Sequence, residues 1–85
     1  MRLDKYLKVS QLIKRRTVAA QACDEAHVAV NGKPAKPSHT LKEGDLLDIS
    51  FGKRRVSVRV LTLKEHVLKS EAGAMYEVVS ETSAE

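Results

Sequence analysis

The side chains that could do chemistry are few and scattered. His27, His39 and His66 fall in separate stretches, and Cys23 is the single cysteine. Cys23 and His27 are four residues apart, a helical spacing that can place two metal ligands on one face. No second pair completes a four-ligand set, and Cys23 falls on an apolar stripe, which reads as a core cysteine beside a helix-terminal histidine. His39 precedes Asp45 and Asp48, but nothing in that spacing demands an acid–base pair, so it reads as a loop histidine. There is no glycine-rich phosphate loop and no Gly-x-Ser-x-Gly elbow. The sequence therefore predicts no catalytic residue, no metal site and no cofactor, and a chain that is not an enzyme.

What remains is cationic chemistry. Fifteen basic residues stand against eleven acidic ones in 85 residues, a net charge of +4. Residues 1–16 hold Arg2, Lys5, Lys8, Lys14, Arg15 and Arg16 against Asp4 alone, a net of +5, whereas residues 65–85 carry a net of −4. A basic end and an acidic end on one small domain suggest an oriented footprint for a polyanion. Arg15 and Arg16 fall where a second helix begins. The helix dipole disfavours cations there, but free N–H groups and guanidinium forks converge on a phosphate at such a place. Aromatic residues number only three, Tyr6, Phe51 and Tyr76, too few for a protein that stacks single-stranded bases. Lys53-Arg54-Arg55 is a second cluster, readable as a guard beside a valine-rich strand or as a further contact for the polyanion.

The elements that position these residues follow from periodicity. Leu3, Leu7 and Tyr6 give a short first helix ending near Ser10, with Asp4 in its first turn. Thr17 is the expected N-cap of a second helix whose stripe is Ala19, Ala22, Cys23 and Ala26. Its outward residues, Gln21, Asp24 and Glu25, are wrong for a groove-reading helix of a helix-turn-helix protein. Val28 and Val30 lead into Asn31-Gly32, a hairpin signal, and Lys33–Pro37 reads as a proline-marked edge. A turn at Glu43-Gly44-Asp45 precedes strands through Leu47 and Ile49, then Val56, Val58 and Val60. Residues 62–72 are ambiguous between loop and short helix. Met75–Val79 reads as the last strand, and Ser80–Glu85 as a polar tail whose removal leaves folding intact. The length allows one domain with one thin core. The single cysteine and the absence of an apolar run of about 18 residues point to a cytoplasmic protein with no membrane span.

Five motifs occur in order: Arg2-Leu3-Asp4-x-x-Leu7, Arg16-Thr17-x-Ala19, Val28-x-Val30-Asn31-Gly32, Pro37-Ser38 and Gly44-Asp45-x-Leu47. Together they resemble the S4-type RNA-binding domain. The whole chain is similar to stand-alone bacterial proteins of the heat-shock-protein-fifteen type, and most of all to their ribosome quality-control branch. The resemblance implies an α+β fold, with two short helices (the αL motif) followed by a small, mostly antiparallel sheet with extra C-terminal strands. It divides the chain into an RNA-binding core at 1–52, a strand extension of the same domain at 53–79 and a flexible tail at 80–85. Family members usually place Gly after the second helix; here Ala26-His27 stands there, and because a left-handed conformation costs Ala roughly 1 kcal/mol, either the helix ends differently or His27 takes the strained position.

The same resemblance implies a function. Such a factor binds large-subunit rRNA and peptidyl-tRNA on the large ribosomal subunit, and supports alanine tailing of stalled chains by its partner RqcH. Arg2 and Arg16 carry over as RNA contacts; Lys5, Lys14, Arg15 and Lys36 are further, weaker candidates on charge and position, and Asp4 either orients a neighbouring arginine or caps its helix. A monomer is expected. The alternatives are a heat-shock-type recycling factor of the large subunit, or an RNA-binding accessory of a pseudouridine synthase or tRNA synthetase. An intermolecular sheet adapter is a third reading. The additional strands point to a complete protein rather than a fragment.

Overall fold

The computed structural model describes residues 1–83. Two helices, α1 (Leu3–Val9) and α2 (Arg16–Asp24), precede the strands β1 (Val28–Val30), β2 (Lys33–Pro34), β3 (Leu46–Phe51) and β4 (Arg54–Val60). A 3-10 helix (Lys69–Met75) leads into β5 (Tyr76–Ser83), and the five strands form one sheet in the order β2-β1-β3-β4-β5, every pairing antiparallel. The α+β class with a small antiparallel sheet is as the sequence predicts.

Register places the valine pattern on one face. Val28, Ile49 and Val56 lie side by side across three strands, as do Val30, Leu47 and Val58. All six are buried in a single cluster with Leu3, Tyr6 and Leu7 of α1, Ala19 and Cys23 of α2, and Met75. Small side chains on α2 let α1 approach it closely, while α1 supplies the bulk. The Tyr6 hydroxyl donates to the Met75 carbonyl at 2.7 Å, tying the first helix to the end of the 3-10 helix. Burial pushes the Tyr6 phenol up from its ordinary range, so it stays a neutral donor.

The Asn31-Gly32 turn forms as expected, with φ of 52° and 87°, the pair of positive values that a type I′ turn requires. Asn31 does more than turn the chain. Its side chain accepts from Leu46 N–H at 3.0 Å and donates to Asp45 at 3.1 Å, while its own N–H donates to the Leu46 carbonyl at 2.8 Å. One residue thus fixes the hairpin against the start of β3.

Three expectations need correction. α2 begins at Arg16 with Arg15 as N-cap, so Thr17 already lies in the first turn, and no side chain caps the helix. The left-handed residue after α2 is Ala26 itself, at φ 60°. Ala26 N–H donates to Cys23 and His27 N–H to Ala22, a Schellman closure that satisfies two end carbonyls and holds Ala in a conformation suited to Gly. The last strand does not stop at Val79. Residues 80–83 pair with β4 through Ser57↔Ser80, Val56↔Glu81, Arg55↔Thr82 and Arg54↔Ser83. They are polar because they lie exposed on a sheet edge. Of the expected tail, only Ala84 and Glu85 lie outside the described residues.

Two outcomes follow for stability. Ala26→Gly should raise the unfolding free energy by roughly 0.5–1 kcal/mol by removing the left-handed penalty, measured by denaturant melts. Truncation after Val79 should lower it by roughly 1–2 kcal/mol, the net worth of one or two ladder hydrogen bonds, whereas truncation after Ser83 should leave the midpoint unchanged.

Candidate nucleic-acid interface

The N-terminus of α1 is held by a loop far away in sequence. Leu3 N–H donates to the His39 carbonyl at 2.8 Å and Asp4 N–H to the Pro37 carbonyl at 3.1 Å, and Leu41 N–H donates to the Met1 carbonyl at 2.9 Å. The loop carrying Pro37 and His39 therefore supplies acceptors for the open end of a helix that has no side-chain cap. His39 serves through its backbone; its side chain is exposed.

Within that frame Asp4 gathers the arginines. Arg2 donates from Nε to Asp4 Oδ1 at 3.1 Å and from its terminal nitrogen Nη2 to Oδ2 at 3.2 Å. Arg16 Nε lies 3.5 Å from Oδ2, and Lys5 N–H donates to Oδ1 at 2.8 Å. The Asp4 side chain is only 5% exposed, while Arg2 and Arg16 are 52% and 48% exposed. One buried anion thus anchors the inner edges of two guanidinium groups and leaves their remaining donors facing solvent. Two cations sharing one anion keep a net positive charge. The carboxylate also offsets the unfavourable placement of Arg16 at the start of α2.

Burial pushes the Asp4 carboxyl up, but the hydrogen bonds from Arg2 and Lys5 N–H and the charges of Arg16 and Arg2 outweigh it, holding the group below its ordinary value. A carboxyl lowered on folding adds stability above its unfolded pKa, and that contribution is lost as pH falls through the folded value.

The other expected contacts are dispersed. Lys5 lies 3.4 Å from Glu65, so its ammonium already has a partner. Arg15, at the N-cap of α2, and Lys14, just before it, are exposed. Lys36 is exposed on the loop that docks on α1. The acidic segment does not form a separate acidic end. Glu65 faces Lys5, Glu81 pairs with Arg54 and Glu77 lies opposite Arg59. Folding thus sets much of the acidic segment against β4 and leaves the helical side basic. Cys23 is buried in the core, its thiol pushed up to about 11 by burial and by the charges of Asp4 and Asp24; His27 is exposed beside Glu25 at 3.3 Å. The pair serves packing and surface roles. Sequence reasoning missed Lys8, His66 and Lys69, which line one hollow with Lys14. No spacing signal joins them, because they come from separate stretches of the chain.

Comparison with known proteins gives the family of the chain. The S4 domain profile matches residues 1–47. The chain is 51% identical over 85 residues to the RQC P-site tRNA stabilizing factor of Streptococcus pneumoniae, covering 100% of this chain and 97% of that one. It is 52% identical over 81 residues to the factor of the same name from Halalkalibacterium halodurans, covering 95% and 92%. Among solved structures, heat shock protein 15 of Vibrio cholerae, described as trimeric, superposes with a TM-score of 0.87 at 25% identity, covering 94% of this chain and 82% of that one. The fold and the profile match define an S4-domain protein of the RNA-binding class. Within that class, the chain belongs to the family of RQC P-site tRNA stabilizing factors.

Asp4→Asn tests the anchor. It should destabilise the fold by about 1–2 kcal/mol near neutral pH, the scale of a charge-assisted hydrogen bond discounted for half-exposed partners. The gap between wild type and variant should begin to narrow as pH falls below the ordinary aspartate range and close as it passes through the lowered value of the folded wild-type carboxyl. Urea melts across pH check both.

Proposed function

We propose that this protein is a non-catalytic factor of ribosome-associated quality control in the cytoplasm. It binds large-subunit rRNA and peptidyl-tRNA on stalled large ribosomal subunits and supports RqcH-dependent alanine tailing. The observation that carries the reading is the Arg2–Asp4–Arg16 arrangement: two half-exposed guanidinium forks set by one buried carboxylate beside an uncapped helix end. Identity of 51% and 52% over 100% and 95% of the chain to factors named for stabilising P-site tRNA supports it further.

The mechanism follows from what such a face does. Phosphate oxygens accept from the outward edges of Arg2 and Arg16 and from the open N–H groups of the first turn of α2. Because Asp4 fixes the guanidinium planes in advance, little side-chain entropy is lost on binding. Arg15 and Lys36 extend the contact as screened charges, and Lys5 joins it by exchanging Glu65 for phosphate. The protein moves no proton and breaks no bond. It holds RNA in place while peptidyl transfer proceeds on the ribosome, and RqcH delivers the incoming alanine.

Gradient cosedimentation of each variant, alongside its thermal melt, is the test. Arg2→Ala and Arg16→Ala should lose association with large subunits carrying peptidyl-tRNA, and Arg16→Lys should restore only part of it, since an ammonium lacks the fork. Lys14→Ala alone should cost less than about 1 kcal/mol of binding, the scale of one exposed charge. If folded Arg2→Ala and Arg16→Ala proteins travel with large subunits as wild type does, the assignment of this face is wrong. With about four to six phosphates neutralised, log affinity should fall against log salt with a slope of about −3 to −5; a flat response in an RNA titration would exclude a phosphate-dominated interface.

A further inference from the structure

Residues 61–68 link β4 to the 3-10 helix as an arch that runs past α1. Its ends are tied down. Leu61 and Thr62 N–H both donate to the Met75 carbonyl, at 2.9 and 3.2 Å, and Leu68 N–H donates to the Glu71 carboxylate at 3.4 Å. Leu63 and Val67 pack against the core. Among the described residues, the backbone from Leu63 to Val67 makes no hydrogen bond, so the crown of the arch moves without breaking one. Glu65 sits at that crown, 3.4 Å from the Lys5 ammonium, with its side chain 62% exposed. It also lines an open hollow with Lys8 and Lys14. Lys8 lies one turn along α1 from Lys5, on the same side of the helix. A carboxylate released from Lys5 therefore has another cation within a small swing.

We infer that Glu65 is a built-in competitor of RNA: it occupies Lys5 in place of a phosphate, and its swing to and from Lys5 sets how firmly the chain holds RNA and how fast it lets go. The inference rests on the RNA-binding reading above and adds a control on it. A carboxylate and a phosphate oxygen offer an ammonium the same charge-assisted bond. A phosphate arriving beside an undisplaced Glu65 is repelled, so binding at Lys5 breaks the Lys5–Glu65 pair and loses its energy. The tethered carboxylate stays at a high effective concentration and reclaims Lys5 when the phosphate yields. Asp4 is the contrast. It is buried, and it leaves Arg2 and Arg16 their outer donors, so it orients cations without competing for them. Glu65 is exposed and takes a lone ammonium on a movable support, so it competes without orienting.

The test measures the Kd and dissociation rate of an unacylated tRNA and, separately, of a large-subunit rRNA stem–loop at about 0.1 M salt. The proteins are wild type, Glu65→Gln, Lys5→Ala, the double variant and Glu77→Gln, each shown by thermal melt to be folded. Glu65→Gln keeps the shape and removes the charge. It should tighten binding of at least one RNA by about two- to fivefold, the range of an exposed ion pair, chiefly through slower dissociation. In the Lys5→Ala background the same substitution should change binding by less than about 1.5-fold, because the competitor has nothing left to occupy. Glu77→Gln makes the same change in net charge opposite Arg59 on the sheet, and should leave both RNAs within about 1.5-fold at this ionic strength. If Glu65→Gln binds both RNAs like wild type, or tightens binding equally with and without Lys5, Glu65 is no competitor, although the RNA reading stands. A gain from Glu77→Gln equal to that from Glu65→Gln reduces the effect to net charge and overturns the inference as well. A wild-type chain that binds neither RNA overturns the RNA reading, and this inference with it.

Discussion

Asp4 is the constraint on which the rest of the basic face depends. Without a buried anion, Arg2 and Arg16 would repel each other across the start of two helices, and each would sample many rotamers in solvent. The carboxylate can occupy that position because it is fully engaged by Arg2, Arg16 and Lys5 N–H. The loop carrying Pro37 and His39 in turn fixes the backbone beneath it. A patch of surface charge becomes a pair of directed donors only through this chain of supports.

The sheet serves the same end from the other side. It gives α1 and α2 one apolar surface to share, and the Tyr6 hydroxyl locks α1 to the Met75 carbonyl. Among the described residues, β5 is the long exposed edge, and the pairing slips at Ser57/Val58 so that Val79 has no partner across the ladder. Such a bulge, with Glu77 and Glu81 along the strand, discourages pairing with another chain. The acidic segment thereby has two roles, guarding the edge and balancing β4, and the helical side keeps its positive potential.

What the sequence by itself determined is local and periodic. The Asn31-Gly32 turn, the valine alternation of β4 and the spacing of Leu3, Tyr6 and Leu7 read correctly because neighbours along the chain decide them. The ordered motifs around Arg2, Asp4 and Arg16 likewise pointed to the right family and to an orienting carboxylate. The misses share a cause. Thr17 has the chemistry of a cap, yet the fold begins α2 two residues earlier, with Arg15 at the cap and Arg16 beside Asp4. Ser80–Ser83 lack apolar residues and resemble a tail, yet β4 offers them a ladder, and edge position relieves them of any need for hydrophobicity. Ala26 tolerates a positive φ because closing α2 requires it there. Only tertiary structure decided that Arg16 reaches Asp4 and that Glu65 turns to Lys5. Those contacts join residues far apart in sequence, and periodicity carries no information about which distant charges a core will bring together.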